Sequence, residues 1–426
     1  MQAVISSAKQ IRGTLTPPGD KSISHRAAIF NAIAEGEARV DNYGPGADCQ
    51  STLRVLRGLG VEIEGDGKPS FRIRGGALRE PTDVLNTGNS GTTTRLLAGV
   101  LAGQPFLTVV TGDRSIRSRP MARITQPLRL MGAHIDGRED GKLAPLAFRG
   151  GNLKGIRYTL PVASAQVKSA LLLAGLFADG ETVLDQPALS RDHTELMFRA
   201  MGVPVEERGL TVSVRPGRLK AQDVTVPADI SSAAYWLVAG VCHLDAEVRV
   251  QGVGVNPSRT GILDALQAMG ADVRVENQRT QGGEAVADLV ARSSTLHAAE
   301  FGGELIPRLI DEVPVLALAA CFAKGTTVIR DAAELRVKES DRIMATAKEL
   351  SRLGAKVEEM PDGLRITGGV ALRGASCRSY SDHRIAMTMG IAGVLASGET
   401  KVSGAECASV SYPSFWQDLD QMRGSR

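Results

Sequence analysis

Hydrophobic positions follow two alternating rhythms along this chain. Small and apolar residues recur at helical spacing in SISHRAAIFNAIAEG, GTTTRLLAGVLAG, SAQVKSALLLAGLFADG, SSAAYWLVAGVCH, EVPVLALAACFAKG and DHRIAMTMGIAGVLASG. Each is followed by a short β-rich run, such as ARVDNY, FLTVVTG, ETVLDQ, AEVRVQG, TTVIRD or TKVSG. The first rhythm predicts capped helices and the second predicts short strands. A further phrase, Leu-x-x-Met/Leu-Gly-Ala/Val-x-Val/Ile, keeps step with them as LRGLGVEI, LRLMGAHI, FRAMGVPV, LQAMGADV and LSRLGAKV. Its glycines are Gly60, Gly132, Gly202, Gly270 and Gly354, and a degenerate sixth copy, LDQMRG, ends at Gly424. Two phrases in phase at a period of about 70 residues predict six copies of one unit: strand, helix, strand, helix, hairpin.

The sixth copy stops at its helix cap and lacks its hairpin. The N-terminal run QAVIS has the length and pattern of the missing strand. Two domains are therefore expected: residues 1–14 plus 227–426 with copies four to six, and residues 15–226 as an inserted domain with copies one to three. Chain crossings near 14 and 226 would form the hinge.

Composition narrows the function. The 50 Lys and Arg against 47 Asp and Glu leave a net charge of +3, and aromatics are 4 %. Neither the charge nor the supply of stacking platforms suits a nucleic-acid partner. The beginning MQAVISSAKQIRG lacks the basic and apolar segments of an export signal, and no apolar run approaches the roughly 18 residues of a membrane span. Five scattered cysteines without a CxxC pair fit reduced thiols, and no His/Cys cluster has metal-ligand spacing. A cytoplasmic protein without metal is expected.

The unusual polar residues collect at predicted helix starts, where unpaired N–H groups and a partial positive charge favour anions. The first copy has Lys21, Ser22 and Arg26 in GDKSISHR, with Ser22 and Arg26 on one face at i, i+4. The second has the small-donor run NTGNSGTTTR, including Asn89 and Gly91. The loop RSIRSRP carries three arginines, the last being Arg119. The third copy offers Ser164, Ala165 and Gln166, and then SRDHT with Arg191 and His193. Asp311 and Glu312 begin a helix of the fifth copy, whose next helix reads RVKESDR. There Lys338 and Arg342 form an i, i+4 like-charge pair that calls for an anion between them. Asp382, His383 and Arg384 repeat the theme in the sixth copy. Any one cluster reads equally as a capped, solvated helix start; cations at so many starts do not.

Together GDKSISHRA, GNSGTTTR, RSRPM, ASAQVKSA, SRDHTE, RVKESDR and SDHRIAM resemble, in order and over essentially the whole chain, the signatures of the 3-phosphoshikimate 1-carboxyvinyltransferase (EPSP synthase) family. The resemblance implies an α/β fold of two similar domains, each an inside-out prism of three βαβαββ units, joined by a two-crossing hinge. It implies transfer of the enolpyruvyl group of phosphoenolpyruvate to the 5-hydroxyl of shikimate 3-phosphate, through a tetrahedral intermediate in the interdomain cleft. Phosphate is released, without cofactor, and the protein is expected to be a monomer serving aromatic amino acid biosynthesis. The family pattern assigns Lys21, Ser22, Arg26, Ser164, Ala165, Gln166, Arg191, Asp311 and Lys338 to shikimate 3-phosphate. Phosphoenolpyruvate falls to Lys21, Asn89, Gly91, Arg119, Gln166, Arg342 and Arg384. Asp311, Lys338 and Glu339 surround the reacting atoms, with Asp311 as proton acceptor and Glu339 as the group that protonates the methylene.

Some positions depart from the pattern. Val410 stands where many members have a lysine before the aromatic-proline pair, here Tyr412-Pro413. Ala165 replaces a second serine, Arg191 and His193 lie near a frequent tyrosine, and Thr94 and Leu96 differ from the commonest loop. Arg191 is the expected substitute for a lost phosphate contact. Two rival readings are a UDP-N-acetylglucosamine enolpyruvyl transferase and a repeat scaffold that merely binds polyanions. The first usually has a loop cysteine, yet none lies between Cys49 and Cys242; the second predicts no turnover.

Overall fold

The structure, a computed structural model, describes residues 1–67 and 69–424, so the last two residues of the expected 227–426 segment lie outside it. It is a mixed α/β fold of six small sheets. The chain divides into two compact units, one comprising Gly19–Val226 with Gln281–Glu284, the other Met1–Pro18, Pro227–Thr280 and the chain from Ala285 onward. The N-terminal segment stays with the second unit through Pro18, past residue 14, and its strand Ile11–Leu15 pairs in parallel with Ala246–Gly254.

In the unit built on 19–226, three four-stranded sheets share one plan. Leu85–Asn86 runs parallel to Leu107–Thr111, which continues antiparallel to Leu143–Arg149 and then His134–Gly137. Parallel neighbours need a crossover, and the helix Gly91–Ala102 supplies it. Lys21–Ile33 and Ala165–Gly175 are the corresponding helices of the other two copies. These three helices are buried on nearly every side, which explains their small, apolar composition. Gly99 shows how close they come: a Cβ there would lie 2.0 Å from the Ala170 carbonyl oxygen. The outer helices Ala47–Gly58, Ala122–Leu130 and His193–Ala200 bury one face only.

The other unit repeats the plan around the buried helices Ile230–Cys242, Val313–Phe322 and His383–Leu395. Its sheets include one of three strands, in which Gln2–Ser6 pairs antiparallel with Glu399–Ser403 in the register Gln2↔Ser403 to Ser6↔Glu399. Each unit has its own apolar core. Among the described residues no helix is long and apolar enough to cross a membrane.

Candidate active site

In the unit built on 19–226, the polar helix starts converge. Asp20 caps Lys21–Ile33 by accepting from Ile23 N at 2.8 Å, and Gly19 is required because a Cβ would lie 1.9 Å from the Asn42 carbonyl oxygen. Lys21 Nζ pairs with the buried Asp48 at 3.2 Å. Arg26 is buried, and its guanidinium donates from Nε to Thr194 Oγ1 at 2.8 Å, from Nη2 to Ser169 Oγ at 2.7 Å and from Nη1 to the Ser22 carbonyl at 3.0 Å. All three acceptors are neutral, so they orient the fork without cancelling its charge. Burial lowers its pKa to about 10, which leaves it charged at neutral pH. Arg191 Nη1 reaches Ser22 Oγ at 3.5 Å, so this departure from the family pattern is brought to Ser22.

Ser90 caps Gly91–Ala102, accepting from Thr93 N at 3.1 Å. A Cβ on Gly91 would sit 3.1 Å from Arg119 Nη1 and 3.2 Å from Arg95 Nη1, so two guanidiniums lie over a bare backbone. Asn89 fixes one of them: its Oδ1 accepts from Arg119 Nη2 at 2.9 Å while its Nδ2 donates to Asp113 at 2.6 Å. Arg95 Nη1 donates to Gln166 Oε1 at 2.6 Å, and Gln166 Nε2 donates to Thr92 Oγ1 at 3.0 Å. Ser164 caps the helix that begins at Ala165. Arg95, which closes the NTGNSGTTTR run four residues after Gly91 on the same helix, joins this group although the family pattern assigns it no role. Of the three loop arginines, only Arg119 turns to Gly91; Arg117 donates to the Gly112 carbonyl at 3.1 Å.

Two buried histidines have structural partners. His25 Nδ1 lies 2.6 Å from Thr52 Oγ1, and burial, with Lys21 and Arg26 nearby, pulls its pKa down to about 3. It is therefore neutral. His193 Nδ1 lies 2.7 Å from Glu284 Oε1.

In the other unit, charged groups gather around Arg342. Its Nε donates to Asp382 at 2.8 Å, Nη2 to Glu339 at 2.6 Å and Nη1 to Asp311 at 3.1 Å. Burial opposes its charge, but Asp382, Glu339 and Asp311 outweigh that and hold its pKa above the ordinary range. Asp382 is fully buried, caps His383–Leu395 through Arg384 N at 2.9 Å and accepts from Ser340 Oγ at 3.0 Å. Lys338 Nζ lies 3.9 Å from both Asp311 and Glu334. Burial lowers the Lys338 pKa, partly offset by those two carboxylates.

The expected helical pair Lys338/Arg342 is corrected here. The helix begins at Arg342 behind the Asp341 cap, and Lys338 precedes it in extended conformation. The anion between the two cations is the protein's own Asp311. Arg336 is tied elsewhere, to Asp341 at 2.7 Å and Glu359 at 2.9 Å. Arg384 Nη2 lies 3.9 Å from Asp311 and Nη1 3.8 Å from Glu312, both beyond hydrogen-bond distance. Val410 ends the turn Ala405–Val410, half-buried. Among the described residues no cluster of His, Cys, Asp and Glu could hold a metal ion.

Cations and N–H donors at the helix starts of each unit suit anions, and the carboxylates around Arg342 suit proton transfer. The family model described as EPSP synthase (3-phosphoshikimate 1-carboxyvinyltransferase) matches residues 5–419. The 3-phosphoshikimate 1-carboxyvinyltransferase of Gloeobacter violaceus is 57 % identical, with 98 % of each chain covered. That of Desulforamulus reducens is 52 % identical, with 99 % of each covered. The solved EPSP synthase of Acinetobacter baumannii matches with a TM-score of 0.88 and 44 % identity, over 99 % of this chain and 98 % of that one. The enolpyruvyl transferase NikO of Streptomyces tendae, at 20 % identity and a TM-score of 0.79 over 98 % and 96 % of the two chains, shares the fold. The chain belongs to the EPSP synthase family of enzymes, the 3-phosphoshikimate 1-carboxyvinyltransferases.

Proposed function

We propose that this enzyme adds the 5-hydroxyl of shikimate 3-phosphate to C2 of phosphoenolpyruvate and then expels phosphate. The observation that carries the reading is the gathering of Asp311, Glu339 and Lys338 around the buried Arg342. A purely anion-binding surface has no use for those carboxylates, whereas addition and elimination need an acid and a base. In the addition step, Asp311, beside Lys338, takes the hydroxyl proton while C3 receives a proton from Glu339. In the elimination step, C3 returns a proton to Glu339 as the C2–O bond to phosphate breaks, and the proton taken by Asp311 leaves with the departing phosphate. Atoms balance without a cofactor.

Shikimate 3-phosphate is assigned to Lys21, Ser22, Arg26, Ser164, Ala165, Gln166 and Arg191, with Asp311 and Lys338 at its reacting hydroxyl. The two partly unsatisfied terminal nitrogens of Arg26 and the approach of Arg191 to Ser22 support that assignment. The phosphate of phosphoenolpyruvate is assigned to Lys21, Gly91, Arg119 and Gln166, with Asn89 orienting Arg119. Arg342 and Arg384 take its carboxylate, for which a planar guanidinium fork is suited. The same reading includes a three-copy prism in each unit, a monomer and a cytoplasmic location. Phosphate release tests it: turnover with shikimate 3-phosphate and none with UDP-N-acetylglucosamine is expected, and the reverse preference or saturation without turnover would refute it.

A further inference from the structure

The reaction as assigned leaves the buried Glu312 without a task. Glu312 follows Asp311 directly, is fully buried, and touches neither Lys338 nor Arg342 in any ion pair or hydrogen bond. A buried carboxyl group is costly unless its oxygens find partners. Its Oε1 accepts a hydrogen bond from Ser231 Oγ, and the same oxygen lies 3.7 Å from Arg259 Nη2 and 3.8 Å from Arg384 Nη1. Ser231 is itself held, because Arg259 Nη2 donates to its Oγ at 2.7 Å and its backbone N–H donates to Asp229 at 2.8 Å. Glu312 is thus fixed by the start of the Ile230–Cys242 helix, while Arg384 sits at the start of another helix, His383–Leu395.

Arg384 is the partner in this group that no hydrogen bond fixes. Its side chain makes no hydrogen bond among the described residues, and Nε is buried without a partner. Within its buried setting, Asp311 faces one terminal nitrogen and Glu312 the other. Two carboxylates at 3.8 and 3.9 Å define a direction for the fork without consuming its N–H groups. We propose that Glu312, anchored by Ser231 and Arg259, is a positioning residue that aims the Arg384 guanidinium at the carboxylate of phosphoenolpyruvate. This inference rests on the assignment of Arg384 to that carboxylate.

Steady-state kinetics and calorimetry on full-length Glu312→Gln, Ser231→Ala, Arg384→Lys and the Glu312→Gln/Arg384→Lys double variant test it. Glu312→Gln should raise the KM for phosphoenolpyruvate roughly tenfold to a hundredfold, as misplacement of a substrate-binding group does. Its kcat and its affinity for shikimate 3-phosphate should change little, which loss of structure alone would not produce. Ser231→Ala keeps every charge and should shift the same KM in the same direction. In the Arg384→Lys background Glu312→Gln should add little, because what it aims is gone. A wild-type KM in Glu312→Gln, equal losses for both substrates, or additive effects in the double variant would overturn the inference. Should Glu312→Gln fail to fold, a wild-type KM in Ser231→Ala would overturn it. If Arg384→Lys itself bound phosphoenolpyruvate normally, the underlying assignment would fall and this inference with it.

Discussion

Arg342 donates through Nη2 to Glu339 at 2.6 Å, so the group assigned to protonate the methylene is ion-paired to the cation assigned to the substrate carboxylate. An ion pair of this kind favours the ionised acid. On that assignment, a substrate carboxylate arriving at Arg342 would compete with Glu339 for the fork. Glu339→Gln removes both the competitor and the acid. Its kcat should fall by about 10² to 10⁴ while the KM for phosphoenolpyruvate stays level or drops. A raised KM with normal kcat would show that Glu339 serves binding instead.

Gly91 gives a second expectation. An added methyl would meet Arg119 and Arg95 nitrogens at 3.1 and 3.2 Å, and flexible side-chain ends can yield that space without harm to the fold. Gly91→Ala should therefore melt at nearly the wild-type temperature, yet bind phosphoenolpyruvate more weakly because both guanidiniums have moved. Calorimetric titration alongside thermal unfolding checks this; unchanged affinity would remove Gly91 from the site.

A third concerns stability. Lys168 pairs with Glu195 at 2.5 Å, both buried, and burial raises the Glu195 pKa against the pull of Lys168. Lys168→Met strips that pull and leaves a buried lone carboxylate, at a cost of about 3–5 kcal/mol. An acid whose folded pKa exceeds its unfolded value contributes stability that is present below the unfolded pKa and lost as pH rises through the folded one. The penalty should accordingly be smaller at about pH 5 than at about pH 8, as read by urea unfolding. A pH-independent penalty would contradict this account of the pair.

Much of this architecture was legible because repetition amplifies weak signals. One glycine-capped helix says little, but Gly60, Gly132, Gly202, Gly270 and Gly354 all lie at positive φ after their helices, and each supplies the same left-handed turn. Arg26, Arg119, Arg342 and Arg384 stood out because cations are unusual at or near helix starts. The partners were hidden. Nothing local to Glu312 shows that Ser231, 81 residues away, will hold it. Likewise, RVKESDR reads as the opening of a helix from Arg336, because Asp341, the true cap, sits inside a run of charges. Long-range burial decides such details, and a periodic pattern carries no record of it.

Solvent deuterium incorporation tests the central claim, that Glu339 exchanges the proton on the methylene carbon. During turnover in heavy water with shikimate 3-phosphate, the wild-type enzyme should place deuterium in the methylene of phosphoenolpyruvate and of the product. In Glu339→Gln that incorporation should fall with kcat by about 10² to 10⁴. In Arg384→Lys at saturating phosphoenolpyruvate it should persist. Incorporation at the wild-type rate in Glu339→Gln would contradict the account and leave Glu339 as a structural partner of Arg342.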